Sequence, residues 1–142
     1  MKQTITKISL VLLSVIMVIS FAACSKGADA EGLWKDATYL KDTELGSGSK
    51  TVTVEVAVQD EKVTFKIKTD KEMVGDALLE NELIAGDDSE YGLYIKKVNG
   101  ITADYDKDKA YWAFYVDGEY AVAGIDSTKI DEGVTYRLEY TK

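Results

Sequence analysis

The feature that most constrains the fold is a pair of neighbouring segments in which apolar residues occupy every second position. Residues 51–58 alternate valine with other side chains, and residues 62–68 place Val63, Phe65 and Ile67 between lysines and a threonine. Successive side chains of a strand point to opposite faces, so each segment predicts a strand with one buried face. Polar residues 59–61 separate the two segments. We therefore predict a hairpin whose apolar face needs a covering layer.

The sequence period changes after this hairpin and predicts one helix over residues 71–85. Thr69, followed three positions later by Glu72, fits a capping box at its start. Gly86 fits a C-terminal stop. The apolar residues of the segment share one helical face: Met73, Val74, Ala77, Leu78 and Ile84.

Strand patterns return after an acidic loop predicted at residues 87–90. Turn dipeptides at Asn99-Gly100 and Asp117-Gly118 favour tight reversals between strands. The four predicted strands cover residues 93–98, 110–116, 119–122 and 135–141. Residues 33–45 are a candidate edge strand. This order predicts an α+β fold, a β-grasp-like mixed sheet with one packed helix.

The N-terminal segment has the organisation of a secretory signal. Lysines lie in residues 1–7, an uncharged apolar run covers 8–23, and Cys24 follows two alanines as the single cysteine. The run is shorter than the ~20 residues that span a bilayer. Small residues before a lone cysteine resemble a bacterial lipobox, with Phe21 where leucine is usual. We expect cleavage before Cys24, lipidation of its thiol and residence on the extracytoplasmic face of the membrane. A transmembrane anchor and a soluble secreted protein are the alternatives.

Composition narrows the function of the remaining chain, which we divide into a tether over residues 24–32 and one domain over 33–142. The 142-residue chain has no histidine and a formal net charge of −8. It therefore lacks the commonest general base and metal ligand, and its charge repels nucleic acid. The sequence has no glycine-rich phosphate loop, and its carboxylates are scattered. We expect a binding domain, not an enzyme.

An aromatic segment near the C-terminus is the strongest candidate for a binding surface. In a strand over residues 110–116, Trp112, Phe114 and Val116 point to one face, and Tyr111 and Tyr115 point to the other. We expect the more apolar set to face the helix. The predicted core then comprises Val54, Val56, Phe65, Ile67, Val74, Leu78, Trp112, Phe114 and Leu138.

Residues 73–141 resemble a bacterial lipoprotein domain family of unknown function, one that is similar to the C-terminal β-domain of transcobalamin and intrinsic factor. The matching motifs follow the family's order: VGDALL (74–79), YGLYI (91–95), VNGI (98–101), YWAF (111–114), GI (124–125), DEG (131–133) and YRLE (136–139). In those carriers the domain forms one wall of a corrinoid site. A large helical domain forms the other wall and has no counterpart in residues 33–142. The resemblance implies a corrinoid or similar planar ligand bound with modest affinity, because tight binding buries most of a ligand's surface.

The preferred function is thus a lipid-anchored ligand-binding module that serves uptake of a corrinoid or another planar cofactor. The alternative is a surface protein-interaction or adhesion module that docks a partner on its aromatic face. Tyrosine suits either function, since it combines a flat apolar ring with a hydroxyl, although tyrosine is also common in ordinary sheets. The candidate ligand-binding residues are Tyr91, Tyr94, Asn99, Tyr111 and Tyr115. The Asn99-Gly100 turn is expected to offer backbone polar groups to the ligand.

One acidic segment raises the question of calcium binding. Asp104, Asp106 and Asp108 occupy alternating positions, as at the start of an EF-hand loop. That loop next requires glycine, where Lys109 stands, and glutamate at its twelfth position, where Tyr115 stands. A solvated acidic turn before a strand therefore fits this segment better than a metal site.

Overall fold

The computed structural model describes residues 32–142. The predicted signal peptide over residues 1–23, Cys24 and most of the predicted tether lie outside the described residues. A 3-10 helix at Gly32–Asp36 opens the described chain, and a second one lies at Ile125–Ser127. The α-helices are α1 (Val74–Glu80) and α2 (Tyr105–Asp108). The strands are β1 (Thr43–Gly46), β2 (Lys50–Val58), β3 (Glu61–Thr69), β4 (Ile84–Ser89), β5 (Gly92–Val98), β6 (Ile101–Thr102), β7 (Tyr111–Val116), β8 (Glu119–Tyr120) and β9 (Thr135–Thr141).

β2 and β3 form the hairpin that the alternating pattern predicts. Val54 lies opposite Phe65, and Val56 lies opposite Val63. All four side chains are buried, while the lysines between the apolar residues of β3 are exposed. The pleat therefore places one complete apolar row in the core.

This hairpin is the starting point of a mixed six-stranded sheet with the order β1-β3-β2-β9-β7-β8. β2 and β9 pair in parallel at its centre. β1 pairs in parallel with β3 at one edge, so the edge strand expected over residues 33–45 is present but is confined to residues 43–46. β7 and β8 form a hairpin at the opposite edge, where Asp117 and Gly118 have φ values of 49° and 81°. Two consecutive positive φ values are typical of the tight hairpin turn that this dipeptide predicts.

β4, β5 and β6 form a second, antiparallel sheet of three strands. Trp112 of β7 connects the two sheets, since its indole N–H donates to the Ile101 carbonyl of β6 at 3.2 Å. A mixed sheet with one main helix confirms the predicted α+β class. The separate small sheet is a feature that the sequence pattern did not reveal.

The predicted helix over residues 71–85 is wrong at both ends. α1 begins after Met73, which makes no side-chain capping hydrogen bond. Thr69 is not the predicted cap, because its hydroxyl accepts the amide of Lys71 at 3.0 Å, outside the helix. The capping box with Glu72 is therefore absent.

The C-terminal part of the predicted helix is a turn followed by β4. Glu82 has a φ of 55°, which breaks the helical path, and Ile84 pairs with Val98 of β5. Gly86 lies at a bulge in β4 and is not a helix stop. A Cβ atom at Gly86 would lie 2.0 Å from the Tyr94 carbonyl oxygen, so glycine is required there. The predicted acidic loop over residues 87–90 is mostly strand, with β4 ending at Ser89.

One apolar core lies between the larger sheet, α1 and the smaller sheet. Every predicted core residue is buried: Val54, Val56, Phe65, Ile67, Val74, Leu78, Trp112, Phe114 and Leu138. Trp112 and Phe114 face this core, and Val116 is half-buried against it. This set was predicted to face the helix; it points into the core, where Trp112 bonds to Ile101 of the smaller sheet. In residues 32–142, no helix has the length and apolar character needed to cross a membrane.

Candidate functional site

A cleft of about 520 Å³ opens at the β4–β5 hairpin. One wall is formed by the C-terminal end of β4 and by β5, and the other by the end of β6 and the start of α2. We call it the acidic cleft, and its lining residues are Asp87, Asp88, Ser89, Tyr94, Lys96, Thr102, Ala103, Asp104, Tyr105 and Asp106. Its volume lies within the range of about 300–1,000 Å³ that is usual for small-molecule sites.

The wall formed by α2 depends on a local cap. Asp104 Oδ1 accepts the amides of Asp106 at 3.0 Å and Lys107 at 3.1 Å. This is the N-cap arrangement, in which a short acidic side chain satisfies the first free amides of a helix. Lys109 then adopts a left-handed φ of 55° and ends the helix. The capped turn therefore holds Tyr105 and Asp106 at the rim of the cleft.

This cap also explains the alternating carboxylates that resemble a calcium loop. Asp104 uses one oxygen for backbone amides, and Asp106 and Asp108 are exposed. Among residues 32–142, no group of three or more histidine, cysteine, aspartate or glutamate side chains is placed to hold a metal ion.

The hairpin wall is ordered by hydrogen bonds at its tip. The Ser89 hydroxyl donates to the Gly92 carbonyl at 2.7 Å and accepts the Tyr91 amide at 3.2 Å. Further back, the Leu93 amide donates to Asp126 Oδ2 at 3.2 Å. The Ser89 bonds order the hairpin tip, and the Leu93–Asp126 bond fixes β5 against the second 3-10 helix, so that Tyr94 stands at a defined position in the cleft.

The electrostatics of the acidic cleft are dominated by carboxylates. Its lining carries Asp87, Asp88, Asp104 and Asp106 against the single ammonium of Lys96. Lys96 forms an ion pair with Asp87. The hydrogen bond to Asp87 raises the pKa of Lys96, with the Coulombic attraction of the same carboxylate second. Tyr94 and Asp104 add smaller contributions in the same direction to this pKa.

Two tyrosine rings line the acidic cleft and stay accessible. The exposed fraction is 43% for Tyr94 and 53% for Tyr105. The ring of Tyr105 already contacts a cation, because Lys109 Nζ lies 5.1 Å from its centroid. An ammonium at this distance from an aromatic face is attracted by the negative π surface of the ring.

The structure separates the four predicted site tyrosines into three places. Tyr94 lines the acidic cleft, and Tyr91 lies almost fully exposed at the tip of the same hairpin. Tyr111 and Tyr115 belong to β7 of the six-stranded sheet and are half-buried. Tyr115 packs edge-on against Tyr120 of β8, with ring centroids 5.5 Å apart. The predicted tyrosine face is therefore not one continuous surface.

Asn99 has a different role from the one predicted. Its carbonyl accepts the Thr38 amide and its amide donates to the Leu83 carbonyl, both at 2.8 Å. Its side chain is 1% exposed and bonds to the backbone of Tyr39. The Asn99 groups offered to a ligand in the prediction are thus consumed inside the protein, which corrects that assignment.

Most residues of the acidic cleft were missed by sequence reasoning. Asp87 and Asp88 fall in the segment predicted as a loop, and Asp104 and Tyr105 were considered only as part of a calcium pattern. Lys96 lies two positions after Tyr94 in a strand and so shares its face, which is the one local indication of their proximity. Nothing in the sequence shows that residues 87–89 and residues 102–106 lie on either side of β5 and form one cleft with it.

No curated protein is similar to this chain at a significant level. A structure from Ruminococcus gnavus ATCC 29149, provisionally named as a metal-binding protein, is similar with 30% identity and a TM-score of 0.62. The alignment covers 66% of this chain and 98% of that one. Haptocorrin in complex with Cbi is similar with 20% identity and a TM-score of 0.47, over 66% of this chain and 25% of haptocorrin.

The family resemblance stated from the motifs is confirmed by a family model. The model is described as "Domain of unknown function (DUF4430)", and it matches residues 72–142, which is half of the chain. The matched region begins just before α1 and contains β4 to β9 with the whole acidic cleft. The chain therefore belongs to the DUF4430 family.

Proposed function

We propose that this protein is a non-enzymatic ligand-binding module and that its ligand occupies the acidic cleft. The observation that carries the proposal is the combination of a cleft of about 520 Å³ with two accessible tyrosine rings, Tyr94 and Tyr105. Concave sites that join flat apolar surface with a few polar groups are the usual form of small-molecule sites. Residues 32–142 contain no histidine or cysteine, so the chemistry of the cleft suits recognition better than turnover.

A corrinoid or another planar cofactor is the ligand class that we propose to test first. Tyrosine rings stack on planar ligands, and the cleft carboxylates can accept hydrogen bonds from the amide groups at the edge of a corrinoid. Since no histidine is present to replace a metal ligand, the ligands already on the cofactor's metal stay in place. An uptake role follows from this proposal, with the domain capturing the cofactor outside the cytoplasm.

Calorimetry on the purified chain with cobalamin, cobinamide and haem tests this proposal. Tyr94→Ala and Tyr105→Ala should each weaken binding about two- to tenfold, which corresponds to the energy of one aromatic contact. Tyr120→Ala is the matched control, because Tyr120 is similarly exposed, at 63%, and does not line the cleft. Equal losses in all three variants would contradict a site in the cleft.

A protein-interaction or adhesion module is the alternative, and one observation favours it. The β7–β8 hairpin presents the Tyr115–Tyr120 pair next to Val122, which is fully exposed, at the edge of the larger sheet. Exposed aromatic side chains at a sheet edge can anchor a partner chain. If Tyr120→Ala abolished attachment of the purified chain to cell-wall preparations while Tyr94→Ala did not, this alternative would be preferred.

We further propose that Cys24 carries a lipid that anchors the protein to the extracytoplasmic face of a bacterial membrane. The apolar run over residues 8–23 and the alanines before Cys24 support this proposal. Cys24→Ser should release the protein from membranes or leave its signal peptide uncleaved. Mass spectrometry of the mature N-terminus tests the proposal directly, and an unmodified thiol would overturn it.

A further inference from the structure

If the acidic cleft is the ligand site, as proposed above, its lining narrows the chemical class of the ligand. We propose that the cleft selects an organic cation with a flat apolar body, and that Lys96 occupies the place of the ligand's positive charge until the ligand displaces it. Three features support this proposal: the charge of the lining, the contacts of Lys96 and Lys109, and the exposure of the Lys96–Asp87 pair.

The lining has one positive and four negative side chains. An anionic ligand such as a phosphate or carboxylate would meet Asp87, Asp88, Asp104 and Asp106, with Lys96 as the only positively charged side chain of the lining. Asp104 uses Oδ1 for the amides of its own helix. Asp87 is paired with Lys96, so its charge becomes available to a ligand only when that pair opens. The exposed carboxylates of Asp88 and Asp106 accept no backbone amide in the described chain, so their charge is open to a cation in the cleft.

Two ammonium groups of the chain contact side chains that line the cleft. Lys96 is held by the carboxylate of Asp87 on the hairpin wall. Lys109 does not line the cleft, but its Nζ lies 5.1 Å from the centroid of the Tyr105 ring, which belongs to the opposite wall. The same two kinds of contact, carboxylate and aromatic face, are those by which proteins bind amine ligands. The accessible ring of Tyr94 stands close to Asp87, its cross-strand partner in the hairpin.

The contact between Lys96 and Asp87 is suited to displacement. Both side chains are largely exposed, with fractions of 50% and 68%. Exposed ion pairs are weak and exchange readily, since water screens both charges. A ligand ammonium that also contacts an aromatic ring can therefore replace the Lys96 ammonium at Asp87. Lys96 then acts as an internal competitor that lowers the affinity for cations.

The test uses three probes that share an indole ring and differ in charge: tryptamine, tryptophol and indole-3-propionate. Their binding to the full chain is measured by ligand-observed NMR or calorimetry. Tryptamine should bind most tightly, tryptophol more weakly and indole-3-propionate not measurably. Raising the salt concentration should weaken tryptamine and leave tryptophol unchanged, because only the charged contact is screened.

Substitution of Lys96 gives the sharper result, because it should improve binding. Lys96→Met should raise the affinity for tryptamine by about two- to fivefold, the range that exposed ion pairs contribute. Lys66→Met is the matched control: it removes the same charge from the exposed face of β3 and should change the affinity little. The double substitution Asp88→Asn with Asp106→Asn should lower it.

The outcomes separate this inference from the proposed function. Equal affinities for tryptamine and tryptophol, or no gain in Lys96→Met beyond Lys66→Met, would overturn cation selection. Absence of binding by all three probes would overturn it as well. Loss of binding of a planar cofactor in Tyr94→Ala would in each of these cases still support a ligand site in the cleft. Thermal unfolding of each variant verifies that the fold persists.

Discussion

The side-chain amide of Asn99 bonds to both backbone groups of Tyr39, which lies 60 positions earlier in the chain. Its side-chain oxygen accepts the Tyr39 amide, and its side-chain nitrogen donates to the Tyr39 carbonyl, both at 2.9 Å. A primary amide reproduces the donor and acceptor of a peptide group, so it can pair with an isolated backbone unit. The segment before β1 is thereby attached to the turn after β5.

Asn99→Ala should destabilise the protein by about 1–3 kcal/mol, because it leaves two backbone groups of Tyr39 without partners in a partly buried place. Asn81→Ala is the control, since that side chain makes a single hydrogen bond, to the Ala77 carbonyl at 2.9 Å. Urea unfolding of both variants measures the difference. Equal losses would show that the Tyr39 contact adds nothing specific.

Leu78→Ala should lower the free energy of unfolding by about 2–5 kcal/mol, since the side chain is 0% exposed and its removal leaves a cavity. Leu79→Ala, one position later and 40% exposed, is the matched control. Its loss should be close to the ~0.5 kcal/mol of ordinary surface changes. If the two variants lost similar stability, the assignment of the buried face of α1 would be wrong.

Gly75→Ala should destabilise the protein although alanine is the better helix former by about 1 kcal/mol. An added Cβ would lie 2.9 Å from the Cα of Asp126, and the backbone there cannot move without shifting the second 3-10 helix. Overpacking of this kind typically costs about 1–3 kcal/mol. Gly133→Ala is the control, because its nearest atom would be at 3.5 Å, an ordinary contact. A stabilised Gly75→Ala protein would refute this packing.

Tyr136→Phe should lower stability by about 0.5–1.5 kcal/mol at neutral pH, because the hydroxyl accepts the Asp131 amide at 2.9 Å and donates to the Lys129 carbonyl at 3.1 Å. Burial raises the pKa of Tyr136 in the folded state. Its contribution is therefore complete below the unfolded-state pKa of about 10 and is lost as the pH rises through the folded-state pKa.

Chemical unfolding between pH 8 and pH 11 tests this dependence. The variant should lose less stability than the parent over the alkaline range. Burial also raises the pKa of Tyr140, so both proteins should still lose some stability at alkaline pH through that residue. Parallel curves for the two proteins would contradict a role for the Tyr136 hydroxyl in this pH range.

Asp70 should titrate below the usual aspartate range. The amide of Ser49 at 2.9 Å and then its hydroxyl at 3.0 Å, both donating to Oδ1, lower the pKa of Asp70. Stability from this carboxylate is present above the unfolded-state pKa of about 3.9 and is lost as the pH falls through the lower folded-state value. NMR titration of the Asp70 carboxyl carbon measures the midpoint. A midpoint at or above 3.9 would exclude these hydrogen bonds, and Ser49→Ala should move the midpoint upward.

The parts of the fold that follow from short-range pattern were predictable. The alternation in residues 51–68 describes a hairpin because a strand repeats every two residues, whatever it packs against. The Asp117-Gly118 turn is equally local, since both residues tolerate the positive φ that it requires. The inward orientation of Trp112 and Phe114 follows from the same alternation combined with their size.

The end of α1 shows where local pattern fails. Ile84 continues the apolar face of a helix, and it also fits a strand, so the sequence satisfies both descriptions. Ile84 lies in a strand because it pairs with Val98 in the smaller sheet and because Gly86 approaches Tyr94 closely. Neither partner can be identified before the chain is folded.

The sequence by itself determined the α+β class, the core residues, the central hairpin and the family resemblance, because each depends on the order and spacing of side chains. Only the tertiary structure decided the acidic cleft, which joins Asp87 and Tyr94 on one hairpin to Tyr105 on a capped turn of the chain beyond it. The tertiary structure also shows that Asn99 is buried and that Tyr111 and Tyr115 belong to the larger sheet, away from the cleft. The physical reason is that a binding site depends on distances between segments, and those distances are set by strand pairing across the fold.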